Sequence, residues 1–119
     1  MLQITPHHTI ILSIGYIDFR KGIDGLCAIC REHIKSDPMG GAVFVFTNKR
    51  RIALKILVYD GIGFWLCIRR FSKGKLAWWP KNIDQAKDIS CKELQIIFYQ
   101  GNPLLYKLPK DFSTINKYP

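Results

Sequence analysis

From Ala42 to Pro80 the apolar positions fall into three runs, Ala42–Phe46, Ile52–Tyr59 and Phe64–Phe71, with a shorter fourth, Leu76–Trp79. All are rich in Val, Ile, Phe, Tyr or Trp, and turn chemistry separates them at Asn48–Arg51, Asp60-Gly61 and Ser72-Lys73-Gly74. Such runs predict consecutive antiparallel hairpins, a meander. Alternation along the third run sends Phe64, Leu66 and Ile68 to one face, expected in the core, and Trp65, Cys67 and Arg69 to the other.

The flanking segments have other periods. Thr9–Ile14 is nearly continuously apolar and reads as a short buried strand. Phe19, Ile23, Leu26, Cys27, Cys30 and Ile34 recur at helical spacing, with Asp18 placed to cap the helix. Gly22 and Gly25 each weaken that helix by about 1 kcal/mol relative to Ala, which suggests close packing or a broken first turn. Ser36–Gly41 turns the chain into the meander. Beyond Pro80, Lys81–Ile89 reads as a polar linker. Ser90 and Glu93 form a capping-box pattern ahead of Leu94, Ile97 and Phe98, in a helix ending near Gly101. The expected fold is α+β: a mainly antiparallel β-meander sheet packed against one longer N-terminal helix, plus a short C-terminal helix. Residues 1–105 form a single domain, and residues 106–119, without a strong period, a surface strap or partly ordered tail.

At 119 residues and 48% apolar content the chain has room for one proper core. No apolar run approaches the length that spans a bilayer, and the start, MLQITPHHT, lacks the basic and long apolar regions of a leader, so no membrane partner and a cytoplasmic location are expected. Charge changes the picture more. Residues 47–81 hold nine Lys/Arg against one carboxylate, Asp60, a net of +8, whereas residues 1–46 are neutral. Successive tips of a meander alternate between the ends of the sheet. The tips Asn48–Arg51 and Ser72–Lys75 are therefore expected at one end, with Asp60 at the other. Lys49, Arg50, Arg51, Lys73 and Lys75 would converge there, with Arg69 and Arg70 beside them. Like charges gathered this way repel unless a polyanion meets them, which makes Lys49, Arg50, Arg51, Arg70, Lys73 and Lys75 the candidate phosphate contacts and DNA the expected partner.

Several of the same residues carry a resemblance. The run DFRKGIDG (Asp18 to Gly25), then GGAVFVFTNKRR, then LKILVYDGIGFWLCIRRFSKGKLAWWP is similar, motif by motif and at matching spacing, to the accessory protein of insertion sequence 66 elements. That protein comes from the second open reading frame, is of the TnpB type, and is unrelated to the RNA-guided nuclease of that name. The likeness covers about residues 10–105; Ile52-Ala53 and Cys67-Ile68 depart from the pattern. It implies a non-enzymatic accessory factor for DNA transposition that works beside a sister transposase. Two readings stay open: a factor that binds nucleic acid through the basic pole, or an adaptor docking on the transposase without direct DNA contact. The oligomeric state is open as well.

Other chemistry is thin. Cys27-x-x-Cys30 has the spacing of half a zinc site, but Cys67 and Cys91 are isolated and both helix cysteines fall on its apolar stripe. They are read as reduced packing residues, and no metal or cofactor is expected. His7 and His8 would diverge on a strand and read as mobile N-terminal residues. Asp60–Gly63 reads as a hairpin turn, since no helix follows to hold a phosphate. Of the nine carboxylates no pair has a spacing that forces the convergence nuclease chemistry needs, so no catalytic residue is assigned. Trp65 and one of Trp78 and Trp79 are the candidates for stacking on unpaired bases, with core packing the competing role.

Overall fold

The computed structural model describes residues 2–105. The expected strap or tail at 106–119 lies outside the described residues. Strand β1 (Ile10–Leu12) leads through a loop into helix α1 (Ile23–Ile29), which continues as a π-helical turn, Cys30–Ile34. Strands β2 (Val43–Thr47), β3 (Ala53–Tyr59) and β4 (Phe64–Arg70) follow, then the short helices α2 (Ile83–Lys87) and α3 (Cys91–Phe98).

The class is α+β as expected, but the sheet is mixed. Its order is β1-β2-β3-β4. Strands β2, β3 and β4 form the antiparallel meander, with Val45 opposite Ile56 and Ile56 opposite Cys67. Strand β1 runs parallel to β2, with Ile10 beside Val43 and Leu12 beside Val45. A parallel neighbour needs a crossover connection, and α1 with its π-helical turn is that crossover. The expected fourth meander strand does not form. Leu76 and Trp79 instead sink into the core, where the Trp79 indole donates to the carbonyl of Ser13 at 2.8 Å.

Helical structure covers both faces of the sheet, not one. Ile11, Phe44, Phe46 and Leu57 pack with Leu26, Cys27 and Cys30 on one side. Ile10, Leu12, Val45, Leu54, Ile56 and Val58 pack with Leu76, Trp79, Ala86, Leu94 and Ile97 on the other. Burial on both faces explains why Ile10–Leu12 and Val43–Phe46 are apolar without alternation.

The N-terminal helix is shorter than its spacing predicts. It begins after Gly22, which stands at the N-cap without a side-chain cap, while the carboxylate of Asp18 accepts from the Arg20 backbone and guanidinium. The segment Lys81–Ile89 is not a linker throughout: Asn82 accepts from the Gln85 amide and opens α2. The capping box at α3 forms as expected, Ser90 Oγ accepting from the Glu93 amide at 3.1 Å and Glu93 Oε1 from the Ser90 amide at 2.8 Å.

Candidate nucleic-acid interface

The end of the sheet carrying the β2–β3 turn is built from two basic loops tied together. Asn48 organises the first: its side chain accepts from the Ile52 amide at 3.0 Å, and its carbonyl accepts from the Arg51 amide. Arg51 sits at φ 57, the left-handed region in which a side chain costs about 1–2 kcal/mol. The second loop is bracketed by two bonds to that turn. Phe71 donates its amide to the Ile52 carbonyl at 3.0 Å, and Leu76 donates to the Arg51 carbonyl at 2.9 Å. Between those anchors, Ser72–Lys75 bulges outward through Gly74 at φ 68. Ser72–Lys75 is thus a closed loop returning to the neighbouring turn, not a hairpin tip before another strand.

Lys49, Arg50, Arg51, Arg70, Lys73 and Lys75 are all exposed, and the structure brings them to this one end. Among the described residues none of the six forms an ion pair. Lys49 Nζ stands 6.0 Å above the exposed ring of Tyr16, which reaches this pole because Ile17 donates its amide to the Thr47 carbonyl. Arg20 adds less positive field: it is paired with Asp18 at 2.7 Å, and the guanidinium holds that carboxyl down at about 2. Asp60 lies at the far end, its carboxylate accepting from the Ile62 and Gly63 amides and from the Trp65 indole, which together lower its pKa.

Two of the basic residues in this stretch have other work. Arg69 Nε donates to the Phe98 carbonyl at 2.7 Å, and its guanidinium lies 5.1 Å from the Tyr99 ring, so it holds the end of α3. Lys55, counted with the sheet's basicity, is buried, its ammonium donating to the carbonyls of Phe19 and Lys21. The stacking candidates leave the site too. Trp79 is core, Trp78 packs against the core on the α2–α3 side, and Trp65 stands by Asp60 at the opposite end. Gln100 is the residue that sequence reasoning missed. Its Nε2 donates to the carbonyls of Lys73 at 2.8 Å and Lys75 at 3.2 Å, pinning the second basic loop from behind. A lone glutamine past a helix end carries no signal of such a role.

Cys27 and Cys30 are buried among Leu26, Phe44 and Phe46, and burial pushes the Cys30 thiol up to about 12 and Cys27 upward. A thiol held that high is a poor metal ligand and nucleophile at neutral pH. Among the described residues no three His, Cys, Asp or Glu side chains are grouped to hold a metal. His8 is not a loose end: its Nδ1 accepts from the Thr5 amide at 3.0 Å. A hollow of about 530 Å³ beside α1 is lined by Asp18, Glu32 and His33, but the Asp18 carboxylate is already taken by Arg20. No helix among the described residues is long and apolar enough to cross a membrane.

The model of the family described as IS66 Orf2-like protein matches residues 8–103, nearly the whole described chain. The chain belongs to the IS66 Orf2-like family. Membership implies an accessory role in transposition. Two relatives from Sinorhizobium fredii (strain NBRC 101917 / NGR234) are similar. The uncharacterized protein y4jC is 32% identical over 88 residues, covering 74% of each chain. The uncharacterized protein y4hO is 31% identical over 78 residues, 66% of this chain and 68% of its own. No solved structure matches. The IS66 Orf2-like match includes both basic loops and Gln100.

Proposed function

We propose that this IS66 Orf2-like protein is a non-enzymatic factor that acts in the cytoplasm by gripping nucleic acid through its basic pole. The reading is carried by the bond from the Leu76 amide to the Arg51 carbonyl. It holds together two loops whose five exposed cations, like Arg70 at the end of β4 beside them, have no anionic partner among the described residues. Self-repulsion of this kind disfavours the folded state, and a polyphosphate relieves it. Arg51 supports the same reading, since a cation occupies a left-handed position where glycine would be easier. Contacts of this type position a protein on the phosphate backbone without reading sequence.

A salt titration is the test. Neutralising Lys49, Arg50 and Arg51, or Lys73 and Lys75, should each weaken DNA binding. Each lost contact should flatten the slope of log K against log salt by about 0.9 for duplex and about 0.7 for single strands. The five-fold variant should lose roughly 4 to 5 units of duplex slope. Undiminished or salt-insensitive binding would reject the pole as the contact surface. Loss of transposase binding with DNA binding unchanged would favour the adaptor reading instead.

A further inference from the structure

We infer that β4 pairs with β4 of a second copy of this chain, antiparallel about a two-fold axis at Cys67, to give one continuous eight-stranded sheet. Strand β4 is an edge. The bonds from Phe71 to Ile52 and from Asp60 to Gly63 set the phase of the ladder. Residues 65, 67 and 69 turn their backbone groups toward β3, and Phe64, Leu66, Ile68 and Arg70 turn theirs outward. Among the described residues nothing pairs with that outer row.

The two edges of the sheet are treated differently. Strand β1 is three residues long, and its Ile10 is bridged on the open side by Ile89. Strand β4 runs for seven residues with no proline and no interior charge, its two arginines standing together at one end. Exposed edges are usually kept short, charged, kinked or covered, because a bare one recruits another strand. Ile68, in the middle of this outer row, is 62% exposed.

Any strand could meet the backbone groups; the side chains select a second copy. About an axis at Cys67, Leu66 lies opposite the partner subunit's Ile68. Phe64 lies opposite the partner subunit's Arg70, and Trp65 opposite the partner subunit's Arg69. Arg70, which has no partner of its own among the described residues, meets an aromatic ring that attracts it, while Arg69 keeps its bond to Phe98 and its place by the Tyr99 ring. The two Arg70 positions stand six residues apart, about 20 Å along the strand, and the two Arg69 positions four apart, about 13 Å. Shifting the register by two residues either way leaves part of β4 unpaired, and shifting by one opposes the wrong backbone groups. The pairing also leaves both basic loops of each copy free, at opposite ends of the joined sheet, and draws only Arg70 of the pole toward the seam.

Cys67 makes the register testable. It would face its own copy at a non-hydrogen-bonded site, where Cα atoms lie about 4.5 Å apart, inside the range a disulfide spans. Mild oxidation of the full chain without DNA should give a covalent dimer on a non-reducing gel, and Cys67→Ser should abolish it. Sedimentation should report a dimer for both in reducing buffer. Ile68→Pro removes only an outward N–H, and Ile68→Lys adds a charge to the edge. Either should sediment as a monomer with unchanged far-ultraviolet circular dichroism. A monomeric parent at the highest soluble concentration would overturn the inference, as would a monomer that assembles only with the sister transposase. A dimer that survives both Ile68 variants, or a cross-link that survives Cys67→Ser, would overturn it too.

Discussion

Lys55 shows how one side chain can contradict the charge pattern around it. It stands in the run Ile52–Tyr59, opposite Phe46 and Ile68, with only 5% of its surface exposed. Its ammonium reaches the Phe19 carbonyl at 2.6 Å and the Lys21 carbonyl at 2.8 Å, and lies 4.9 Å from the Phe19 ring. Period two alone puts Lys55 on the inward face with Leu57, but a charge tally cannot see which carbonyls will come to meet it. Methionine at this position keeps the stem and deletes the donor. Lys55→Met should therefore destabilise the fold by about 2–3 kcal/mol, since hydrogen bonds from a charged group contribute more than neutral ones. Urea unfolding would show this as a lower midpoint at unchanged slope. A change below about 0.5 kcal/mol would place it among ordinary surface substitutions, and the ammonium in water.

At the scale of elements, the same lysine accounts for where α1 begins. A helix running through Phe19 would give the carbonyls of Phe19 and Lys21 to the amides of Ile23 and Gly25. Lys55 takes those carbonyls instead, and the helix starts after Gly22. The broken first turn was legible in Gly22 and Gly25; its cause, thirty-odd residues away, was not. The capping box of α3 was legible because every group involved lies within four residues. The two basic loops were legible as neighbours because meander geometry alternates the tips, but the clamp from Gln100 was not. Gln100→Ala removes two hydrogen bonds from the second loop and no charge. If the pole grips nucleic acid, binding should weaken about fivefold, the equivalent of about 1 kcal/mol, with the salt slope unchanged. A changed slope would mean a different set of phosphate contacts, and unchanged affinity a loop that holds its shape without the clamp.

For the whole molecule, the part organised by local pairing was readable and the part organised by distant pairing was not. Turn residues announce β2, β3 and β4, whereas nothing within Thr9–Ile14 says that it will lie parallel to a strand beyond a helix. Leu76–Trp79 has strand composition, yet Trp79 finds its hydrogen-bond partner at Ser13, across the core. That division has a counterpart in time. The hairpin contacts close short loops, but the pairing of Ile10 with Val43 and the bond from Trp79 to Ser13 must close long ones. Long closures cost more entropy before any contact rewards them. The meander should therefore be largely formed at the folding barrier, with β1 sliding in afterwards beside β2. Ile10→Val and Leu12→Ala should then speed unfolding and leave the folding rate nearly unchanged, while Val58→Ala should slow folding. Stopped-flow chevrons of the three variants would show it, and a slowed folding limb for the β1 variants would reverse the order. Until β1 arrives, the whole length of β2 is an open edge, so a chain still folding offers its neighbours a long apolar strand that the finished fold keeps inside the sheet.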